Sequence, residues 1–298
     1  MTSASTAATR STVADAVGAT SLMTAAIRAD ESTLPDRMFD DPYAGHFAGE
    51  AGRAMLGELD LADQATEQGG VPGGAATRGF IALRTRFIDG ALHALRTEDA
   101  GRQVVMVAAG MDARAYRHPW LSGAAVYELD QPGVLAYKQS VIDRLGLTPH
   151  ARRRPVPADL TGNWVPALRA AGFELDRPSV WVAEGLMYYL PGDAVRALLT
   201  TIATLSTPDS RLLVDLVNAD MLTVPETREM LRRYERWGCP WQFGTSEPVA
   251  LLAEHGFTAT TVGRPGVPPH DHVRWPLPDP PAGVAAPRSY FVNATRNG

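Results

Sequence analysis

The sequence has very little cysteine: Cys239 is the single one among 298 residues. One cysteine excludes an internal disulfide and a metal site built from several cysteines, and it favours a reducing compartment such as the cytoplasm. No histidine neighbours Cys239 in the chain, so ordinary packing explains it better than a role as nucleophile. We therefore expect a cytoplasmic protein without a metal site.

Long apolar runs and an excess of positive charge are also missing. No stretch reaches the roughly 18 consecutive apolar residues of a membrane helix. The N-terminus has no basic leader followed by an apolar run, so we expect no signal peptide. With a formal net charge of −5, nucleic acid is not an expected partner, because its binding depends on many Lys and Arg contacts. The one basic run, residues 152–154, is interpreted as a solvated loop.

A complete G-x-G-x-x-G phosphate-binding motif is absent as well. Only Gly110 ends the first predicted strand, and a tight structural turn explains a lone glycine equally well. The missing glycines disfavour a dinucleotide, whose pyrophosphate needs exposed amides at that turn. Asp130 follows about 20 residues later, the spacing of an acid that accepts hydrogen bonds from ribose hydroxyls. Glu128 could compete, but it lies further from the strand end. These residues indicate an adenosine-containing cofactor without phosphates.

What the chain does have is an alternation of short apolar runs with helical stretches. Such alternation predicts an α/β protein whose mostly parallel sheet is built from crossovers. After Val217 about 30 residues interrupt the pattern, which indicates an insertion over the sheet. The predicted strands are residues 103–110, 124–130, 179–184, 211–217, 257–262 and 288–294, with helices near 131–146, 162–171 and 192–205.

The same pattern predicts one folded domain after a short tail. Residues 1–14 are expected to be a disordered tail because they offer little to bury. A glycine-rich break at residues 69–74 is interpreted as a flexible connector. The domain, residues 15–298, is then divided into an N-terminal helical cap (15–76), a cofactor-binding core (77–217), a lid insertion (218–250) and a final helix, loop and strand hairpin (251–298).

Arg84 lies on the apolar stripe of a helix predicted from Thr77 onwards. Phe80, Phe87, Ile88, Ala91 and Leu95 recur on its face, whereas Arg86 and Asp89 are expected to face away. A charge on such a stripe is costly unless it is paired. Its partner is either a structural carboxylate or the carboxylate of an amino-acid-like cofactor held by a bidentate contact.

Five ordered motifs resemble the leucine carboxyl methyltransferase-like superfamily, in particular its bacterial branch with polyketide O-methyltransferases. The resemblance extends over roughly residues 20–295. It rests on Thr77 and Arg78 with LRTRFID at 83–89, VAAGMDARAYR at 107–117, YELDQPGVLAYK at 127–138, ADL at 158–160 and AEGLMYY at 183–189.

The resemblance implies a Rossmann-like class I methyltransferase fold: an α/β structure with a seven-stranded, mostly parallel sheet whose last hairpin is antiparallel, added N-terminal helices and a helical lid insertion. It also implies S-adenosyl-L-methionine as the cofactor and a small molecule as the methyl acceptor. The roles it implies are as follows: Arg84 binds the methionine carboxylate, Gly110 passes beneath the cofactor, Asp130 holds the ribose hydroxyls, Asp159 and Leu160 frame the adenine, and Glu184 lies near the amino group.

The acceptor site is expected after the fourth strand and in the lid. Tyr188, Arg233 and Trp237 are the candidate substrate-binding residues, although packing explains each of them as well. A carboxylate acceptor, held by a basic lid residue such as Arg233, needs no catalytic base. A phenol acceptor would need one, and only His270 or His272 could supply it. We expect a carboxylate of a secondary metabolite.

Two other functions use similar features. An NAD-dependent reductase also has a parallel sheet with an acid after the second strand. The incomplete glycine pattern, the inward arginine and the lack of a recognisable Tyr-x-x-x-Lys site argue against it. A degenerate fold that binds the cofactor without catalysis is the non-enzymatic alternative, and five intact motifs argue against that.

Overall fold

A seven-stranded sheet forms the centre of the computed structural model, which describes residues 18, 20–64, 73–95, 103–277 and 279–298. Its strand order is β3-β2-β1-β4-β5-β7-β6, in which β7 runs antiparallel to both neighbours and all other pairs are parallel. This confirms the predicted sheet with its antiparallel final hairpin. The strands are β1 Gln103–Val107, β2 Ala125–Asp130, β3 Arg152–Pro157, β4 Ser179–Ala183, β5 Arg211–Val217, β6 Phe257–Gly263 and β7 Ser289–Arg296.

Helices cover both faces of this sheet. The longest ones precede or follow the central strands, and the short helix α8 belongs to the predicted lid. The helices are α1 (residues 20–32), α2 Ala44–Gln64, α3 Gly73–Ala94, α4 Arg114–Arg117, α5 Pro132–Leu145, α6 Val165–Ala170, α7 Gly192–Leu205, α8 Arg228–Arg236 and α9 Pro248–Glu254. Within the described ranges, none of these helices has both the length and the apolar character needed to cross a bilayer.

The apolar strand runs are explained by burial on both sides. Every residue of β1, β2 and β4 is buried. Successive side chains of a strand point to opposite faces, so Val104 and Met106 pack with α2, α3 and α5, whereas Val105 and Val107 pack with α6 and α7. Because β2 and β4 flank β1 on opposite sides, the switch point of the sheet lies between β1 and β4. Ligands bind beyond the carboxyl ends of the strands at such a point.

The basic run at residues 152–154 is part of strand β3, so its interpretation as a loop was wrong. β3 is an edge strand, paired in parallel with β2 alone, and most of its side chains are exposed. An edge strand with a solvated face needs no apolar run, and for this reason the sequence pattern missed it. Arg153 even has a structural partner, because its Nε donates to Glu128 Oε2 at 2.8 Å.

Two predicted segments fall wholly or partly outside the described residues. The tail at residues 1–14 lies outside them, and so do residues 69–72 of the glycine-rich break. The last two glycines of that break, Gly73 and Gly74, belong to α3 instead of to a connector.

Candidate functional site

A cavity of about 730 Å³ opens beyond the carboxyl ends of β1, β2 and β4. Its wall combines the turns after these strands with residues of α1, α3 and α8 and with the segment that leads into β7. The volume lies within the range of small-molecule sites, and its position matches the switch point of the sheet.

The turn after β1 forms the floor of the cavity. Ala108 and Gly110 both have left-handed backbone conformations, with φ of 57° and 46°. For an alanine this conformation is strained, and such strain is found preferentially at functional sites. A Cβ at Gly110 would lie 2.8 Å from the Cβ of Ser21 in α1, so glycine is required here for packing as well as for conformation.

Asp130, at the end of β2, lines the cavity next to this turn. Its Oδ2 accepts a hydrogen bond from the Gly110 amide at 2.6 Å, and its Oδ1 accepts one from the Gln131 amide at 2.7 Å. Burial raises the pKa of Asp130, and these two amides oppose that effect. Glu128 lies deeper in the strand and pairs with Lys138 at 2.9 Å. The geometry therefore favours Asp130 over Glu128 as the acidic residue of the site.

Arg84 points inward, as the helical pattern predicts, and is 4% exposed, whereas Arg86 is exposed. Its Nε donates to Glu184 Oε1 at 3.0 Å, and its Nη1 donates to Asp215 Oδ2 and to the Tyr188 hydroxyl, each at 3.1 Å. Within the described residues Nη2 has no hydrogen-bond partner, and Arg84 lines the cavity. The carboxylates of Glu184 and Asp215 thus bind two of its nitrogens, and the third faces no partner in the described part of the chain.

Glu184 connects Arg84 to a second buried arginine. Its Oε2 accepts from Arg114 Nη1 at 2.8 Å, and Arg114 Nε donates in turn to Asp89 Oδ1 at 2.7 Å. Burial opposes the charged form of Glu184, but Arg114 and Arg84 outweigh it and lower the pKa of Glu184. Asp112 accepts from the Arg114 amide at 2.7 Å and so stabilises the start of α4.

The expectation that Asp89 faces away from the apolar stripe was wrong. Asp89 does not face away from the core but pairs with Arg114 and with Arg117, the latter at 2.7 Å. Helix α4 packs against this side of α3 and supplies both guanidinium groups. A single apolar stripe in the sequence cannot indicate a second buried face that is polar.

The side of the cavity formed by α8 and the turn after β4 is aromatic and basic. The Tyr188 ring lies 4.2 Å from the Trp241 ring, which lies 5.2 Å from that of Tyr234, and all three residues line the cavity. Arg233 also lines it and is 8% exposed, and within the described residues its guanidinium makes no hydrogen bond or ion pair. The wall therefore contains a buried cation that no described carboxylate contacts within ion-pair distance, although Glu226 and Glu229 line the same cavity.

Trp237 does not join this wall. Its Nε1 donates to Glu58 Oε2 of α2 at 2.9 Å, and Trp241 lines the cavity in its place. Because α8 ends at Arg236, helical periodicity could not determine which of the two tryptophans faces inward.

Neither of the two candidate histidines lines the cavity. The His270 ring packs 5.2 Å from Phe87, and burial lowers the pKa of His270. His272 Nδ1 accepts from the Arg274 amide at 3.3 Å. Of the described residues that line the cavity, none is a histidine. The geometry gives no support to the expectation that one of these two histidines could serve as a base.

Asp159 and Leu160 do not line the cavity either. Asp159 is exposed and accepts hydrogen bonds from the Thr161 amide and hydroxyl at 2.9 and 2.8 Å, and Leu160 packs against the apolar core. They follow the edge strand β3, one strand further from the switch point than Asp130. Their role beside an adenine stays a prediction.

Helix α1 supplies wall residues that sequence reasoning missed. Ser21, Thr24 and Arg28 line the cavity, and Arg28 is itself fixed by Asp41 at 3.0 Å and by the Met111 carbonyl at 2.6 Å. No motif marked them, because they lie in the N-terminal cap, outside the strand ends. Within the described ranges, no cluster of histidine, cysteine and carboxylate side chains could hold a metal ion.

Comparison with known proteins agrees with this architecture. The leucine carboxyl methyltransferase family model matches residues 21–203. A relative from Mycolicibacterium gilvum (strain PYR-GCK), described as an S-adenosyl-L-methionine-dependent methyltransferase, is 46% identical over 69% of this chain and 67% of its own length. Another of that description, from Mycobacterium sp. (strain JLS), is 39% identical over 84% of this chain and 87% of its own.

Among solved structures, a DUF574 family protein from Streptomyces avermitilis shares the fold. It has a TM-score of 0.58 and 18% sequence identity, and the match covers 91% of this chain and 96% of that chain. The family match and the two relatives confirm the predicted enzyme class and cofactor, a methyltransferase that uses S-adenosyl-L-methionine, and thereby exclude the reductase interpretation. The chain belongs to the leucine carboxyl methyltransferase family.

Proposed function

We propose that this protein transfers a methyl group from S-adenosyl-L-methionine to a carboxylate oxygen of a small organic acid, in the cytoplasm and as a step of secondary metabolism. The observation that carries the proposal is Arg233, a buried guanidinium at the cavity wall without a partner within the described residues. An unpaired buried charge is costly, and a carboxylate is the group that compensates a guanidinium best.

Four residues of the cavity wall would hold the cofactor. Asp130 would accept hydrogen bonds from the ribose hydroxyls, since each of its oxygens receives only one amide. Arg84 would bind the methionine carboxylate through its unpartnered Nη2. Glu184 would lie near the amino group, and Gly110 leaves room for close approach of the backbone. When bound, S-adenosyl-L-methionine supplies an electrophilic methyl group on a sulfonium.

The work of the protein is then to position the acceptor. Arg233 would hold one end of the acid, and the rings of Tyr188, Tyr234 and Trp241 would cover its apolar body. Correct placement of the reacting groups alone can remove about 7–11 kcal/mol of barrier. A fixed guanidinium beside an aromatic wall is suited to that task.

The absence of a histidine from the described residues of this wall agrees with a carboxylate acceptor. A carboxylic acid, with a pKa near 4, is ionised at neutral pH, whereas a phenol near 10 needs a base. Burial raises the pKa of Tyr234 to about 12, and burial also raises that of Tyr188, so neither hydroxyl is ionised at neutral pH. None of the described residues that line the cavity is a histidine.

Incubation with radiolabelled S-adenosyl-L-methionine and matched panels of carboxylic acids and phenols tests the proposal. Labelled methyl esters are the expected products. Arg233→Met should raise the KM for the acid about ten- to a hundredfold, because a charge-assisted contact contributes about 1.5–3 kcal/mol. Arg232→Met is the matched control, since Arg232 is exposed and does not line this cavity. Methylation of phenols alone, or equal effects of the two variants, would contradict the proposal.

A further inference from the structure

Asp215 is a buried carboxylate of β5 that none of the sequence motifs includes. It is 1% exposed and does not line the cavity. In the sheet its neighbour Val214 pairs with Ala183, so Asp215 lies level with Glu184 at the end of β4. A buried carboxylate needs hydrogen-bond partners. The two partners of Asp215, Gly185 and Arg84, both line the cavity.

The two oxygens of Asp215 bind two different parts of that wall. Oδ1 accepts a hydrogen bond from the Gly185 amide at 2.6 Å, and Oδ2 accepts one from Arg84 Nη1 at 3.1 Å. Gly185 has a φ of 65°, and a Cβ at this position would lie 3.0 Å from the same Nη1. The guanidinium therefore lies directly against the turn that Asp215 holds.

These contacts determine which nitrogen of Arg84 can reach a ligand. Glu184 occupies Nε, and Asp215 together with Tyr188 occupies Nη1, so among the described residues Nη2 alone has no partner. An arginine without such partners would have to give up rotamer freedom when a ligand binds, which weakens binding. Because Asp215 already holds the guanidinium, Arg84 loses less rotamer freedom when a ligand binds.

We infer that Asp215 is a positioning residue for cofactor binding: it fixes the Arg84 guanidinium so that Nη2 faces the carboxylate of the cofactor. The inference rests on the proposed function, in which Arg84 binds that carboxylate. Asp215 itself touches neither the cofactor nor the acceptor, so its whole effect on affinity passes through Arg84.

A double-mutant cycle tests this, with the Kd for S-adenosyl-L-methionine and for its demethylated product measured by calorimetry. In Asp215→Asn the amide oxygen can still accept from Gly185, but the amide nitrogen cannot accept from Arg84. We expect Asp215→Asn to raise both Kd values about tenfold and Arg84→Ala to raise them at least as much. The double variant should bind no more weakly than Arg84→Ala alone, because additivity fails for residues that act through one contact.

Glu128→Gln is the matched control, since Glu128 is an equally buried carboxylate with two ion pairs, to Lys138 and Arg153, outside the cavity. Its Kd values should equal those of the unaltered protein. If Asp215→Asn leaves the Kd unchanged, or weakens binding equally when Arg84 is already alanine, the positioning role is wrong. If Arg84→Ala has no effect, both this inference and the assignment of Arg84 in the proposed function are overturned.

Tyr188→Phe provides a second measurement should Asp215→Asn fail to fold. It removes the other hydrogen bond to Nη1 and keeps the aromatic ring beside Trp241. A several-fold rise in the cofactor Kd, absent in the Arg84→Ala background, supports the fixed guanidinium. An unchanged Kd, or an equal rise in both backgrounds, would overturn it.

Discussion

The carboxylates at the cavity wall differ in how their charge is compensated. Asp112 and Glu184 both lie beside Arg114, and its guanidinium overcomes their burial and lowers the pKa of each. Asp130 has two backbone amides as its direct donors among the described residues, and burial raises its pKa. Asp130 therefore retains acceptor capacity for neutral hydroxyls, whereas Glu184 is committed to arginines. This difference suits the ribose role proposed for Asp130.

The two candidate histidines, His270 and His272, allow a prediction about pH. We expect a His270→Ala, His272→Ala double variant to keep most of its turnover, because neither ring lines the cavity. The rate at saturating cofactor should also be flat between pH 6 and 9, since a carboxylate acceptor is ionised throughout and burial lowers the pKa of His270. Initial rates of methyl transfer measure both. A rate that rises through a pKa near 7, with an inactive double variant, would instead indicate base-assisted methylation of a phenol.

Residues directly after the central strands were the part of the site that the sequence predicted best. Gly110, Asp130 and Glu184 line the cavity because the carboxyl ends of parallel strands meet at one edge. The prediction was poorer wherever the position depends on packing between distant segments. Neither the choice of Trp241 over Trp237 nor the partners of Asp89 can be obtained from local periodicity.

Among the secondary-structure elements, α1 and α2 determine how the N-terminal cap closes on the sheet. α1 contacts the turn after β1, where a Cβ at Gly110 would collide with Ser21. α2 packs against α1 through Gly52, where a Cβ would lie 2.3 Å from the Leu22 carbonyl oxygen. Close approach of the α1 backbone to Gly52 thus positions the helix that forms part of the cavity wall.

Two glycines of α2 make this contact testable with the same substitution. Gly52→Ala should lower the free energy of unfolding, since the added methyl group meets backbone atoms of Leu22 that cannot move without shifting α1. Gly57→Ala should raise it by about 0.5–1 kcal/mol, because a Cβ there meets nothing within 4 Å and alanine favours the helix. Urea unfolding of both variants is the measurement. A stabilising Gly52→Ala would show that the two helices are not in close contact.

The strands that are buried on both faces were the ones that the sequence predicted most closely. β1, β2, β4 and β5 are apolar runs covered on both faces, and all four were found close to their observed bounds. β3 was missed because only Val156 in it is buried. The hairpin of β6 and β7 was found, although its antiparallel direction followed from the family resemblance and not from the pattern.

At the scale of the whole molecule, the ion pairs of Arg274 with Glu31 and Asp36, which we call the clasp, join the N-terminal cap to a segment that lines the cavity. We call residues 264–277 and 279–288, between β6 and β7, the strap; Leu277, Asp279 and Pro280 of the strap line the cavity. Arg274 donates to both oxygens of Glu31, at 2.7 and 2.9 Å, and to Asp36 at 2.7 Å. The strap is thereby tied to the end of α1, more than 200 residues earlier in the chain.

Arg274→Ala should destabilise the protein by about 1.5–3 kcal/mol, because hydrogen bonds to a charged partner are lost and Glu31 is left buried. Arg196→Ala is the control, since it breaks the Arg196–Glu254 pair, whose side chains are both more than half exposed. Exposed pairs of this kind contribute at most about 1 kcal/mol. Thermal unfolding at pH 7 compares the two variants. Equal shifts in Tm would show that the clasp is an ordinary surface contact.

The pH dependence of the same variant identifies the charge responsible. Burial opposes the ionised form of Glu31, but the hydrogen bonds from Arg274 and the Met38 amide outweigh it and lower the pKa of Glu31. A carboxyl group whose folded pKa lies below its unfolded value, near 4.3, stabilises fully above that value and loses its contribution as pH falls through the folded pKa. In Arg274→Ala the buried Glu31 carboxylate lacks its main partner, so protonation of Glu31 stabilises the folded variant. In the unaltered protein the same protonation breaks the ion pair and destabilises the fold. The difference in unfolding free energy should therefore shrink as pH falls from the folded pKa of Glu31 in the variant, which burial without Arg274 raises above its ordinary value, to the lowered folded pKa in the unaltered protein. A difference that persists undiminished to pH 3 would show that Arg274 stabilises the strap through packing and not through the ionised Glu31.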